Sequence, residues 1–275
     1  MPELPEAQTI ASDLDSLIKG AKILSILPLF PPIVDPSSIP LERLLGKSIK
    51  EVTRLGKMIH FHLQGNLSII ASLRMTGQFL MGDYPNSPKE SAFPKHTRLA
   101  IKLDTSPNGL FYRDTRKFGR LFFLDSLTLK QFLKERSPGV DALEITPKLL
   151  QDIMGAHSKT VKAMLMDQNL ISGLGNIYAT ESLFKARIAP TRMAYSLTAK
   201  ECKLLSDSII DILNSAITHR GSTIKDYMSP KGPGSFQDKH LAYGKAGKPC
   251  PHCGRGFSKV TVCGRATVWC QNCQK

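Results

Sequence analysis

Apolar positions along the chain change period twice. Leu4, Ala7, Ala11, Leu14 and Ile18 recur three or four residues apart before Gly20, which is the buried stripe of one helix closed by a residue that tolerates left-handed backbone. From about Ile23 to Leu124 the pattern shortens to strand-like runs: KILSIL, SIKEVTRL, MIHFHL, LSIIASL, RLAIKL, GLFYRD and RLFFL. Gly, Pro and Asn clusters such as NSPKESAFP and DTSPNG separate them, and this spacing predicts a β-sandwich. Helical patterning returns from about Leu127 to Arg220. Its clearest helix opens at Thr198, where T-x-x-E with Glu201 reads as a capping box, and continues through Cys202, Leu205, Ile209, Ile212 and Ala216. The Gly/Pro-rich MSPKGPGSFQ reads as a mobile loop or linker, and a small Cys-bearing module follows it. There is no internal repeat and no extended low-complexity tract.

Composition narrows the class. At 275 residues, 41% hydrophobic and 22% charged, the chain can bury a sizeable core as one large domain or two to three small ones. No apolar run approaches the roughly 18 residues of a membrane span. Glu3 and Glu6 stand where a signal peptide carries Lys or Arg, and six Cys are too few for a disulfide-stapled secreted scaffold. A soluble, cytosolic protein is expected. With 37 Lys+Arg against 23 Asp+Glu the formal charge is +14, which asks for a polyanionic partner, nucleic acid first and an anionic membrane surface second. From His240 to Lys275 there are basic residues and no Asp or Glu. The stretch FYRDTRKFGR interleaves Arg113, Arg116, Lys117 and Arg120 with Phe111, Tyr112 and Phe118. Basic groups of that kind contact phosphates, and aromatic rings stack on or wedge between bases.

Three local patterns carry chemistry. Cys250-x2-Cys253 and Cys270-x2-Cys273, separated by 16 residues, bring four thiolates to a tetrahedron around one structural metal with a hairpin between them. Zinc is the first choice and iron the minor one; disulfides or four buried thiols are the bland alternatives. His252 is expected to stay exposed, and Cys202 and Cys263 to be ordinary thiols. In the run HSKTVKAMLMDQNLISGLGNIYATESLF, Asn176 stands where an N-cap belongs, so the helix start is either a phosphate clamp or a plain helix–turn–helix packing element. At the other end of the chain, removal of Met1 leaves Pro2 as a secondary amine. At a helix start the dipole favours its neutral, nucleophilic form, which attacks an aldehydic carbon to give an iminium ion. Glu3 and Glu6 are then candidate acid/base groups. The plain alternative is a good first-turn proline with two Glu complementing the dipole.

PELPE, RLGK around Lys57, RMTG around Met75, DTRKFG around Phe118, MLMDQ…SGLGNIYATESLF and the terminal C-x2-C-x16-C-x2-C occur together and in order. In this combination the chain resembles the bacterial, zinc-containing formamidopyrimidine-DNA glycosylases, and the resemblance spans essentially the whole length. PELPE favours this branch over the endonuclease VIII-like one. The resemblance implies a two-lobed α+β protein, with an N-terminal β-sandwich flanked by a helix (residues 1–126). A helical helix–two-turns–helix domain with a lesion-capping loop (127–238) and a four-cysteine zinc-finger hairpin (239–275) follow. It implies a base-excision-repair glycosylase with abasic-site lyase activity, removing oxidised purines from damaged double-stranded DNA, monomeric and in the bacterial cytosol. By the same resemblance Pro2 is the Schiff-base nucleophile, Glu3 the general acid/base, Glu6 the second Glu of the motif and Lys57 the catalytic, phosphate-contacting Lys. Asn176 and Arg265 grip phosphate, with Arg265 counted among the catalytic groups as well. His96, Arg116 and Lys162 join the DNA contacts, and Lys162 falls near the family's lesion-contacting Lys. Met75, Arg116 and Phe118 fill the gap left by the flipped base, STIKDY (Ser222 to Tyr227) caps it, and Cys250, Cys253, Cys270 and Cys273 hold one structural Zn2+.

The sequence departs from the family pattern at Ala7-Gln8, where Val-Glu is common, at Ser72, usually His, and at Ala266 in the finger's G-R-G-T. These departures keep a non-catalytic zinc-ribbon protein that binds damaged DNA as the alternative. A small-molecule enzyme using Pro2 as base is a weaker one, because it has no use for the basic C-terminal module.

Overall fold

A computed structural model describes residues 2–87, 89–224 and 227–275. The chain divides into two compact units: one runs to Arg136 and takes up Arg220–Gly234 again, and the other comprises Ser137–His219 and Ser235–Lys275. Among the described residues no helix is long and apolar enough to cross a membrane.

In the first unit, helix α1 (Leu4–Ile18) is followed by strands β1 (Ile23–Pro28), β2 (Ile49–Leu55), β3 (Met58–Leu63), β4 (Leu67–Ser72), β5 (Gln78–Gly82), β6 (Thr97–Leu103), β7 (Gly109–Arg113) and β8 (Arg120–Leu124), then helix α2 (Ser126–Arg136). They form two four-stranded antiparallel sheets ordered β1-β6-β7-β5 and β2-β3-β4-β8. The alternation expected of a sandwich is visible on β3, where Ile59, Phe61 and Leu63 enter the core shared with Ile10, Leu14 and Ile18 of α1 and with Phe79 and Tyr112 of the other sheet. An edge-to-face pair at 5.4 Å (Phe61–Phe79) joins the two sheets, and Phe79 packs edge-on against its strand partner Tyr112 at 5.3 Å within its own sheet. On the opposite face of β3, His60 and His62 stack at 3.7 Å. Burial, and then the neighbouring His62, lowers the His60 pKa to about 4.

Strand β5 was not among the runs expected from the sequence. It is only five residues long and begins directly after the Met75–Gly77 turn, so its alternation is cut short at both ends. Phe111 and Tyr112, read as base-facing rings, are instead core residues with 1% and 0% exposure. Of the three aromatics in that stretch, Phe118 alone is exposed, at 52%.

The second unit holds β9 (Val140–Asp141), α3 (Pro147–Gly155), α4 (Val161–Met166), β10 (Ile171–Ser172), α5 (Asn176–Lys185), α6 (Ala199–Thr218), β11 (Ser258–Val262) and β12 (Arg265–Trp269). The capping box that opens α6 is present: Thr198 Oγ1 accepts the Glu201 amide at 3.3 Å and the Glu201 carboxylate accepts the Thr198 amide at 2.8 Å. Buried Glu181 of α5 accepts the amides of Leu241, Ala242 and Tyr243 at 2.6–3.0 Å. The chain entering the cysteine module is thereby fastened to that helix.

This division differs from the boundaries expected at 126 and 238, for three physical reasons. Helix α2 stays with the sandwich because Phe132 packs on Ile70, Phe122 and Leu124. The cysteine hairpin shares a core with Phe184 of α5 through Phe257 and Val268. Residues 220–234 return to α1, whose polar stripe Glu6, Thr9, Asp13, Ser16 holds them. There Arg220 pairs with Asp13 at 2.6 Å and donates to Ser229 at 2.7 Å, and Lys231 Nζ donates to Ser16 at 2.6 Å. The Gly/Pro-rich stretch expected to be a mobile loop is therefore strapped down, with Ser229 and Gly232 closing a reciprocal turn.

Candidate functional site

Pro2 and Glu3 are buried at the start of α1, and Pro5 sits in its first turn. Glu3 is the N-cap of a reciprocal capping box with Glu6. One Glu6 oxygen accepts the Glu3 amide at 2.8 Å and the other accepts the Ser222 amide at 2.7 Å. Gly221, at φ +78°, lies so close that an added Cβ would stand 2.7 Å from Glu6 Oε1. Both carboxylate oxygens are committed to backbone donors, so this geometry makes Glu6 a clamp between the helix start and the 220–234 segment. Of the expected capping loop, Lys225 and Asp226 lie outside the described residues. Tyr227 donates to the Arg220 carbonyl at 3.0 Å.

Lys57 sits with Gly56 in the two-residue turn between paired Leu55 and Met58, at the tip of the β2–β3 hairpin, where Gly56 supplies φ +59°. Arg54 closes that turn on the Gly56 carbonyl at 3.1 Å and also donates to Gln8 Oε1 at 3.2 Å. The Gln8 departure is thus put to use: its amide ties α1 to the hairpin that carries Lys57. Ser72 ends β4, and its carbonyl accepts the Tyr112 hydroxyl at 3.4 Å.

Met75, Arg116 and Phe118 come from two turns that one buried carboxylate joins. Asp114, with no exposed surface, accepts from Thr76 Oγ1, from the Arg116 amide at 3.1 Å and from the Gly119 amide at 2.8 Å. Arg116 and Phe118 are exposed, and the Arg116 guanidinium lies 4.7 Å over the Phe118 ring. His96 adjoins this loop through its carbonyl, which accepts the Asp114 amide at 3.0 Å. Its pKa is lowered by desolvation and then by Lys95, Arg98 and Arg113. Asp114 and Thr76 were not expected from the sequence. The Asp of DTRKFG was visible, but its partner is 38 residues away.

In the second unit two expectations change. Asn176 is the first residue of α5 rather than its N-cap, which is Gly175 in extended backbone. Its side chain bridges instead: Oδ1 accepts Lys162 Nζ at 2.7 Å and Nδ2 donates to the Ala266 carbonyl at 3.1 Å. Lys162, expected as a DNA contact, is fully buried. Its ammonium donates to Asn176, to Thr180 at 2.9 Å and to Thr267 at 2.7 Å. Three acceptors use all three protons of an ammonium, so the geometry gives Lys162 the placing of Asn176 and β12. Arg265, next to the Ala266 carbonyl, is exposed and follows a Cys263-Gly264 turn with φ +49° and +68°.

The four expected cysteines form one cluster, with every sulfur within 4.8 Å of the others. All are free thiols. Cys250–Cys273 and Cys253–Cys270 sulfurs are 4.0 and 3.5 Å apart; sulfurs about 2.3 Å from a central zinc span about 3.8 Å. The Arg255 amide brings the Cys253 pKa down to about 6, while hydrogen bonding to Cys253 pushes Cys273 up to about 12. Four thiols so close ionise together only around a cation, and the donor set fits a metal ion. His252 is exposed, as expected, and stacks on Phe184 at 5.2 Å. Cys202 is buried and Cys263 exposed.

A cavity of about 400 Å3 opens in the first unit beside these turns, lined in part by Thr76, Gln78, Arg113, Thr223, Tyr227 and Met228.

Comparison with known proteins places the chain in a family. Residues 1–121 match the family model described as the formamidopyrimidine-DNA glycosylase N-terminal domain, and residues 138–228 match the formamidopyrimidine-DNA glycosylase H2TH domain. Relatives named formamidopyrimidine-DNA glycosylase include that of Desulforamulus reducens, 34% identical over all of this chain and 99% of its own length. That of Bacillus subtilis is 37% identical at the same coverage. Among solved structures, the MutM (Fpg) protein of Thermus thermophilus superposes with TM-score 0.86 at 35% identity, covering 99% of this chain and 98% of that one. The Lactococcus lactis Fpg bound to abasic-site DNA superposes with TM-score 0.88 at 33% identity and 99% of both chains. With identity at this level over its entire length, the chain belongs to the formamidopyrimidine-DNA glycosylase family of enzymes.

Proposed function

We propose that this enzyme excises oxidised purines, 8-oxoguanine and formamidopyrimidines, from duplex DNA and then cleaves the strand at the abasic site through a Schiff base on Pro2. The observation that carries the reading is the capping box that buries Glu3 beside Pro2 at the amide end of α1. With Met1 removed, the Pro2 nitrogen is a secondary amine which the helix dipole keeps neutral. Its lone pair attacks C1′, and the glycosidic electrons leave with the base, which takes up a proton. Opening of the sugar ring protonates O4′ and leaves an iminium between Pro2 and C1′. The iminium acidifies the C2′ proton; its loss expels the 3′ phosphate, and a second elimination expels the 5′ phosphate. Water then releases Pro2. Glu3 is the group that holds and hands over protons at this centre, and Glu6 positions it.

The remaining roles follow the exposure of each side chain. Lys57 at its hairpin tip and Asn176 and Arg265 on the second unit contact phosphates, with His96 beside the first-unit loop. Met75, Arg116 and Phe118 occupy the gap left by the extruded base, offsetting part of the few kcal/mol that unstacking costs. The cavity beside Thr223 and Tyr227 receives the base. A structural zinc held by Cys250, Cys253, Cys270 and Cys273 would fix the hairpin that presents Arg265.

The test is a nicking assay on duplex DNA carrying one 8-oxoguanine, with borohydride trapping in parallel. A covalent adduct and a cleaved strand are expected, with trapping strongly reduced in Pro2→Gly. Tight, salt-dependent binding without cleavage would favour a damage-binding protein instead.

A further inference from the structure

The wall of the cavity holds a guanidinium to which the described residues offer one long hydrogen bond. Arg113 ends β7, with Gln78 of β5 on one side and Thr97 of β6 on the other. It is half-buried and lines the cavity. Among the described residues no carboxylate lies within ion-pair reach of it. Its side chain makes one long hydrogen bond, from Nη1 to Gln78 Oε1 at 3.5 Å, while its Nε is buried with no partner. The charges that act with it on His96 are Lys95 and Arg98, both positive.

Five donors in a fixed fork, nearly all unspent, call for an acceptor. Among the described residues, the others that line the cavity with Arg113 are Thr76, Gln78, Leu80, Thr115, Thr223, Tyr227 and Met228, none of them a carboxylate. A donor buried without an acceptor is unfavourable, and a carbonyl entering the cavity relieves it. We propose that Arg113, steadied by Gln78, is a specificity-determining residue that donates to a carbonyl oxygen of the extruded base. Within the oxidised purines proposed above as substrates, this donor favours a base that presents a carbonyl edge to the wall. An edge carrying an exocyclic amine would meet the guanidinium donor to donor and be disfavoured.

This inference rests on the function proposed above, and the test separates the two. An abasic site places sugar and phosphates in the enzyme but no base in the cavity. Single-turnover rates are measured for wild type, Arg113→Lys and Arg113→Met on matched duplexes carrying 8-oxoguanine or a preformed abasic site. The Lys variant keeps the stem and the charge and loses the fork. Both variants are expected to lose about 10- to 100-fold in excision of 8-oxoguanine, with Lys the less affected, while abasic-strand cleavage stays within about twofold of wild type. Equal losses on the two duplexes would reassign Arg113 to a phosphate or to the fold and overturn the proposal, as would no loss on either. A wild-type protein that cleaves neither duplex overturns the proposed function and this inference with it.

Discussion

Replacing Asp114 with Asn should loosen the two turns that carry Met75, Arg116 and Phe118. The carboxylate has no exposed surface and accepts three donors, the Thr76 hydroxyl and the Arg116 and Gly119 amides. Asn keeps the shape but offers one oxygen, and its NH2 must face a donor. Hydrogen bonds to a charged acceptor contribute about 1.5–3 kcal/mol each, and a buried donor left unsatisfied costs about 1–3 kcal/mol. Because the Arg116 amide retains Thr76 Oγ1 at 3.2 Å, the expected loss is that of one to two bonds, about 2–4 kcal/mol. For a unit of about 150 residues this corresponds to a fall of roughly 4–16 °C in its melting temperature. Calorimetry of wild type, Asp114→Asn, Thr76→Val and the double variant checks it. Residues sharing one hydrogen bond should be non-additive, with the double variant costing less than the sum. Additive losses, or an unchanged melting temperature in Asp114→Asn, would refute the idea that this carboxylate fastens the two turns together.

Three further outcomes follow from the geometry. Burial holds the folded pKa of His60 near 4 against an unfolded value of 6.5. Its contribution is therefore complete above about pH 6.5 and is lost as pH falls toward 4, by about 1–3 kcal/mol. His60→Asn should flatten the melting profile of the first unit across that window, and an unaltered profile would contradict the assignment. Lys162→Met should weaken binding to abasic-site DNA at least about tenfold by freeing Asn176 and Thr267 from their common donor, at a stability cost of about 3–5 kcal/mol. Unchanged affinity in a folded variant would remove Lys162 from that role. Elemental analysis should find one zinc per chain; its chelation, or Cys270→Ser, should abolish lesion binding, and full binding by metal-free protein would overturn the structural role of the metal.

What could be read from the sequence was what repeats locally or is spaced by coordination chemistry. The buried stripe of α1, the Thr198–Glu201 cap and the two C-x2-C pairs are each complete within a few residues, so their patterns survive without tertiary information. Pro2 and Glu3 were read as candidates from the chemistry of an amine and a carboxylate at a helix start, and Lys57 from the family resemblance alone. The hidden features all depend on partners distant in sequence. Glu6 meets Ser222 216 residues on, and Lys162 meets Thr267 105 residues on. Asn176 looked like a cap because its type favours caps, yet Gly175 takes that place and frees the amide to bridge. Arg113 was read with its basic neighbours as a phosphate contact, and only the pairing of β7 with β5 turns it toward Gln78 and the cavity.

The nucleophile proposed for the reaction is the nitrogen of Pro2. The most direct test of this assignment is to trap the enzyme with borohydride on 8-oxoguanine duplex, digest the adduct and locate the sugar remnant by mass spectrometry. A single modified peptide is expected, beginning at Pro2 with the remnant on its nitrogen. A remnant on a lysine side chain, Lys57 included, with Pro2 unmodified, would contradict it.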